Sequence, residues 1–135
     1  MKRILLALII FFSMLSGLQA QDQGPENIAC KEAFDLIQKF SKDNSFVVLD
    51  LRPEGMFKEG HIKNAIFRDV FADGFEEWLN DLDKNQTYLL YCNIGYRSGL
   101  AMEKMRQAGF KYLYNLYEGI REWKKQGFPT IRESN

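Results

Sequence analysis

The chain has 135 residues with 18 Lys+Arg, 18 Asp+Glu and one His, so it carries no formal net charge, and it is 46% hydrophobic and 14% aromatic. That composition describes one globular domain and excludes a disordered chain, and without a basic excess the long-range attraction to phosphate that a general nucleic-acid binder needs is missing. Two cysteines, Cys30 and Cys92, are too few for a disulfide framework or for a structural zinc site, which needs about four Cys or His ligands, so the fold has to be stabilised by burial.

In chain order, Lys2 and Arg3 precede an uncharged apolar run from Ile4 to Leu15, which ends in Ser16-Gly17-Leu18-Gln19-Ala20. This is the layout of a secretory signal, too short for the roughly 20 apolar residues of a spanning helix. Residues 1–20 are therefore expected to be removed after Ala20 on export to the periplasm or the medium, and the membrane is a partner only if the signal stays uncleaved. Removal leaves 115 residues with 16 basic and 18 acidic side chains. Residues 21–26, polar with Gly24-Pro25, read as a flexible lead-in, residues 27–130 as the one domain and residues 131–135 as a C-terminal tail.

Within the domain, Ala33, Phe34, Ile37 and Phe40 recur at helical spacing, and Phe46-Val47-Val48-Leu49 is a short continuous apolar run, the pattern of a strand buried on both faces. Ala65-Ile66-Phe67 is a second strand, and Phe75, Trp78, Leu79 and Leu82 share one helix face. Tyr88 to Tyr91 is a third strand, Ser98 to Gln107 a helix stopped by Gly109, Tyr112 to Leu116 a fourth strand, and Ile120 to Gln126 a helix stopped by Gly127 and Pro129. The order predicts an α/β fold, a small parallel sheet of about four strands flanked by about four helices on both faces.

Ligands of such sheets bind beyond the carboxyl ends of the strands. Two segments lie there: Asp50-Leu51-Arg52-Pro53 after the first strand, and Cys92-Asn93-Ile94-Gly95-Tyr96-Arg97-Ser98 between a strand and a helix. A thiol at a strand end, followed by a short glycine loop and a helix, sits where backbone N–H groups converge at a positive helix end, which stabilises anionic sulfur. Gly95 permits a tight turn, Arg97 offers a guanidinium fork to an anionic substrate, and Ser98 offers a hydroxyl. The alternative is that Cys92 is a buried small hydrophobe.

These segments resemble the rhodanese-like sulfurtransferases over residues 27–130. The resemblance rests on Asp50-Leu51-Arg52, Gly60-His61-Ile62 with Asn64-Ala65, the loop Cys92-x-x-Gly95-x-Arg97-Ser98, Ala108-Gly109-Phe110, and Gly119-Ile120-x-x-Trp123. It implies that Cys92 takes sulfur from thiosulfate or a persulfide or polysulfide, holds it as a persulfide, and passes it to a thiol or cyanide, a protein persulfide being a further possible partner. It also implies that Asn93, Ile94, Gly95, Tyr96, Arg97 and Ser98 cradle the substrate, with no metal or cofactor. Asp50 and Arg52 match a charged pair that shapes the pocket; a salt bridge closing the turn after the strand is the plainer reading of both. The sequence departs from the pattern at Met56, where Glu is often found and could pair with Arg52, at Glu118, which replaces a glycine near the expected pocket mouth, and at Asn93, where Arg is frequent.

Elsewhere plain roles are expected: His61 as a turn histidine bonded to backbone, Trp78, Trp123 and Tyr112 in packing, Lys124-Lys125 as a solvated helix end, and Cys30 unpaired in preference to a Cys30–Cys92 disulfide. Two other functions remain open. A phosphatase or arsenate-reductase-like enzyme would use a similar Cys-to-Arg cradle, although such loops carry five residues between Cys and Arg and this one carries four. A non-catalytic module would bind a partner or sense redox state through Cys92.

Overall fold

The computed structural model describes residues 26–133, so the signal-like segment and most of the lead-in lie outside the described residues. Five strands and five helices occur in it: β1 (Glu26–Ile28), α1 (Cys30–Lys39), β2 (Phe46–Asp50), α2 (Glu54–Glu59), β3 (Ile66–Phe67), α3 (Phe75–Asn80), β4 (Thr87–Tyr91), α4 (Tyr96–Gln107), β5 (Tyr112–Leu116) and α5 (Gly119–Lys125). The strands form one sheet in the order β1-β5-β4-β2-β3, with every pair parallel.

Strand side chains alternate between the faces, so the continuous apolar runs of β2 and β4 feed two cores. Leu49, Leu51, Tyr88, Leu90 and Cys92 pack with Phe75 and Leu79 of α3 and Ala101 and Met105 of α4. On the other face Val48, Leu89, Tyr91 and Leu116 pack with Cys30 and Ala33 of α1 and Ile120 and Trp123 of α5. The apolar stripes expected on the helices are the faces that cover the sheet, and Trp78 and Trp123 are packing residues as expected, the Trp123 indole N–H donating to the Pro129 carbonyl at 2.9 Å. Tyr112 corrects its expectation: it is an exposed residue at the start of β5.

Two elements were not predicted. β1 starts in the expected lead-in and consists of backbone pairing, with Glu26 opposite Tyr114 and Ile28 opposite Leu116; only Ile28 of its three side chains is buried. The Asn27 side chain accepts a hydrogen bond from the Asn115 amide at 2.9 Å, a polar tie that hydropathy does not register. α2 is six residues long with one buried side chain, Phe57, so no helical stripe emerges. At the other end Ile131, read as the first tail residue, pairs reciprocally with His61 through backbone bonds of 2.9 and 2.8 Å. His61 itself is the expected turn histidine: its Nδ1 lies 2.9 Å from the Phe57 carbonyl and its ring stacks on Phe57.

Candidate active site

Cys92 directly follows β4, and the chain turns through Asn93-Ile94-Gly95 into α4. Gly95 is the N-cap, with φ of 91°, a left-handed conformation that favours glycine. The Cys92 Sγ accepts the Gly95 N–H at 3.2 Å and lies 3.5 Å from the Ser98 hydroxyl, which is also 3.3 Å from the Gly95 carbonyl. The sulfur thus lies against the N-terminal end of a 12-residue helix, its positive end, with one backbone donor already on it. Cys92 is 2% exposed and Ser98 is fully buried.

Backbone from the β5–α5 turn supports this loop from below. The Cys92 and Asn93 carbonyls accept the N–H groups of Ile120 and Arg121 at 2.9 and 3.1 Å. Glycines permit the approach from both sides: a Cβ on Gly95 would fall 2.0 Å from the Tyr117 carbonyl oxygen, and one on Gly119 2.1 Å from the Asn93 carbonyl oxygen. Gly95 and Gly119, distant in sequence, are halves of one backbone-to-backbone contact.

Arg97, in the first turn of α4, is half-buried. Among the described residues its Nε is buried without a hydrogen-bond partner, and no carboxylate forms an ion pair with it. Its guanidinium lies 5.5 Å from the centre of the Phe71 ring. A buried donor without an acceptor is costly unless something fills it, and an anion arriving at the loop would supply the acceptor. Ile94 and Tyr96 face outward and are exposed, so their contribution to the loop floor is backbone.

Asp50 and Arg52 are brought to each other. The Arg52 Nε donates to both Asp50 oxygens at 2.9 and 3.1 Å, its second nitrogen donates to Asp50 at 2.6 Å and to the Gly60 carbonyl at 2.8 Å, and its own N–H returns to Asp50 at 3.0 Å. Both are buried. Burial opposes the guanidinium charge, yet the Asp50 bonds and charge hold Arg52 above its ordinary value, while burial and the charge of Asp50 push the neighbouring Tyr91 phenol up. Strand alternation puts this group on the sheet face opposite the Cys92 sulfur. The salt bridge closing the turn, the plainer of the two readings, is what the geometry shows, and with Gly60 and Asp50 as acceptors Arg52 is satisfied without a carboxylate at Met56.

Glu118, the residue before Gly119, has a partner in the structure. Its carboxylate accepts the Cys30 N–H at 2.7 Å, at the start of α1. Cys30 and Cys92 are both free, and they belong to cores on opposite faces, so the sheet separates them. Burial first, and then Glu118, push the Cys30 thiol up to about 12, away from the thiolate form. Sequence reasoning missed Phe71 and Tyr117, both exposed and both touching the loop region; neither belongs to a periodic pattern, so only the tertiary contact reveals them.

A model of the Rhodanese-like domain family matches residues 33–126. The chain belongs to the rhodanese-like domain family. The "Thiosulfate sulfurtransferase GlpE" of Coxiella burnetii is 29% identical over 99 residues, 73% of this chain and 87% of that protein. The "Putative sulfur carrier protein YrkF" of Bacillus subtilis is 32% identical over 92 residues, 68% of this chain, and the match spans 48% of that protein's length. Among solved structures, a rhodanese-related protein from Thermoplasma volcanium superposes with a TM-score of 0.68 at 25% identity, covering 80% of this chain and 99% of the other. The five-stranded parallel sheet is thus the rhodanese-like fold that the sequence resemblance implied, and the family is a sulfurtransferase-like one.

Proposed function

We propose that the protein is a sulfurtransferase in which Cys92 accepts sulfane sulfur from thiosulfate or a persulfide or polysulfide donor and hands it to a thiol or cyanide. The observation that carries this reading is the Cys92 sulfur at the start of α4, with the Gly95 N–H on it at 3.2 Å and Arg97 nearby with an unpartnered Nε. The attacking thiolate forms a bond to the donor's outer sulfur, and the donor's S–S bond breaks with its electron pair leaving on sulfite or a thiolate. The acceptor thiolate then attacks the outer sulfur of the Cys92 persulfide, and Cys92 leaves as thiolate, so the cycle returns to its start without an external oxidant. The loop amides and Arg97 hold the charge of the persulfide and of the leaving group. Cys30 takes no part, because its thiol is buried on the other face beside Glu118. We further propose export, with residues 1–20 acting as a signal.

The test is double-displacement kinetics with thiosulfate or an organic persulfide as donor and cyanide as acceptor. The reading expects Cys92→Ser to abolish turnover and Cys30→Ser to retain most of it. Loss of turnover in both would favour a redox mechanism with a resolving cysteine.

A further inference from the structure

The β5–α5 turn that supports the Cys92 loop is itself held by the start of α1. Tyr117 and Gly119 make the close backbone approaches to Gly95 and Asn93, and Glu118 stands between them. Glu118 is the N-cap of α5 but makes no side-chain cap bond to that helix. Its half-buried carboxylate instead accepts the Cys30 N–H at 2.7 Å, across 88 residues of chain, while the Tyr117 N–H donates to the Ile28 carbonyl at 3.3 Å. The start of α1 has no local substitute for this partner. Its N-cap is Ala29, whose methyl group offers no oxygen to the free N–H groups of the first turn, and no side-chain cap bond is made there. Glu118 supplies a charged acceptor at the positive end of this 10-residue helix, and charge-assisted bonds of this kind are short and strong. Three pieces of backbone are thus linked in series: Ile28 to Cys30, Tyr117 to Gly119, and Asn93 to Gly95.

We propose that Glu118 is a positioning residue for the Cys92 loop: by tethering the β5–α5 turn to the start of α1, it fixes the backbone on which the Gly95 N–H is presented to the Cys92 sulfur. Its consequence for sulfur transfer rests on the sulfurtransferase reading, whereas the tether stands on the hydrogen bonds alone. The lever is short. Glu118 lies between the two contacts, so losing its bond lets Tyr117 and Gly119 move together, and the Cys92 and Asn93 carbonyls follow through the N–H groups of Ile120 and Arg121. The loop then loses the alignment of the Gly95 donor, 3.2 Å from the sulfur in the intact site, and with it part of the stabilisation of charge there. Because the carboxylate acts through its bond to the Cys30 N–H, an uncharged oxygen in the same position serves as well.

The experiment compares the parent protein with Glu118→Ala, Glu118→Gln, and Ala29→Ser added to Glu118→Ala. Ala29 has φ of −78° and ψ of 169°, the extended backbone of a serine N-cap, and Glu32 already accepts its N–H at 2.8 Å, so a serine there completes a local capping box. The double variant therefore restores the cap of α1 without restoring the tether. Three quantities are read: the melting temperature, the Gly95 amide resonance in 1H–15N spectra, and the second-order rate at which Cys92 gains sulfur from thiosulfate and from glutathione persulfide. Glu118→Ala should shift the Gly95 resonance and slow loading by about tenfold or more, the scale of a displaced reacting group. Glu118→Gln should keep the resonance in place and the rate within about threefold. Ala29→Ser should raise the melting temperature of Glu118→Ala while loading stays slow and the resonance stays shifted; if Glu118→Ala alone does not fold, the double variant carries the comparison. Parent-like loading with an unmoved Gly95 resonance in Glu118→Ala, full recovery of loading through Ala29→Ser, or a loss in Glu118→Gln as large as in Glu118→Ala each overturns the inference and leaves the sulfurtransferase reading intact. Failure of the parent protein to gain sulfur from either donor overturns that reading instead, and the Gly95 resonance still decides the tether.

Discussion

Removing the guanidinium of Arg97 should cost about 2–4 kcal/mol of transition-state stabilisation, the scale for one preorganised donor, and Arg97→Lys should recover only part because a lysine cannot present a fork. Within the segment from Cys92 to Ser98, Arg97 is the one cation and Asn93 is neutral. Asn93→Arg should therefore raise the thiosulfate rate, as steady-state kinetics on that donor will show. Cys30 supports a second expectation. Its thiol is held up to about 12 against an ordinary 9.0, so the folded chain binds one proton more than the unfolded chain between those values. That group's contribution to stability is present in full below pH 9 and is lost as pH rises toward 12. Denaturant titrations should show a shallower fall across this window in Cys30→Ala than in the parent protein. At this scale the placement of Cys92, the glycine turn, Arg97 and Ser98 was legible because a strand end, a short loop and a helix start lie side by side in the sequence. Phe71 and the true partner of Glu118 were not, since each is defined by a contact with a residue far along the chain.

At the scale of elements, the loop depends on the β5–α5 turn as much as on its own residues. Gly119 has φ of 74°, and a Cβ there would meet Asn93 and Ile94 backbone atoms at 2.1 to 2.6 Å, so Gly119→Ala must displace the loop. The left-handed backbone alone costs about 1–3 kcal/mol in a non-glycine residue. Melting temperature should fall by at least about 4 °C, and sulfur loading of Cys92 should drop more than far-UV circular dichroism changes. The turn from β2 into α2 rests on the Asp50–Arg52 pair. Asp50→Asn leaves the buried guanidinium without its counter-charge and should cost about 3–5 kcal/mol of folding stability by denaturant titration. The other four strands and four helices announced themselves through continuous apolar runs or helical stripes. β1 and α2 did not, because three residues of backbone pairing and one buried phenylalanine leave no periodic trace.

For the whole molecule, two cores on the two faces of one sheet explain why the apolar runs of β2 and β4 are unbroken, and the family match over residues 33–126 agrees with a fold argued from those runs. The parallel α/β class followed from the alternation of strands and helices, whereas the strand order β1-β5-β4-β2-β3 depends on crossovers that periodicity does not encode. The expected export of the chain is independent of the domain's chemistry: N-terminal sequencing of protein recovered from outside the cytoplasm should begin at Gln21. The central claim, that sulfur is carried on Cys92, is tested most directly by the intact mass of protein purified without reductant, measured before and after a sulfane-sulfur donor and again after cyanide. The account predicts a gain of one sulfur atom, mapped to the peptide containing Cys92 and removed by cyanide. An unchanged mass, or a cyanide-labile sulfur mapped to Cys30, would contradict it.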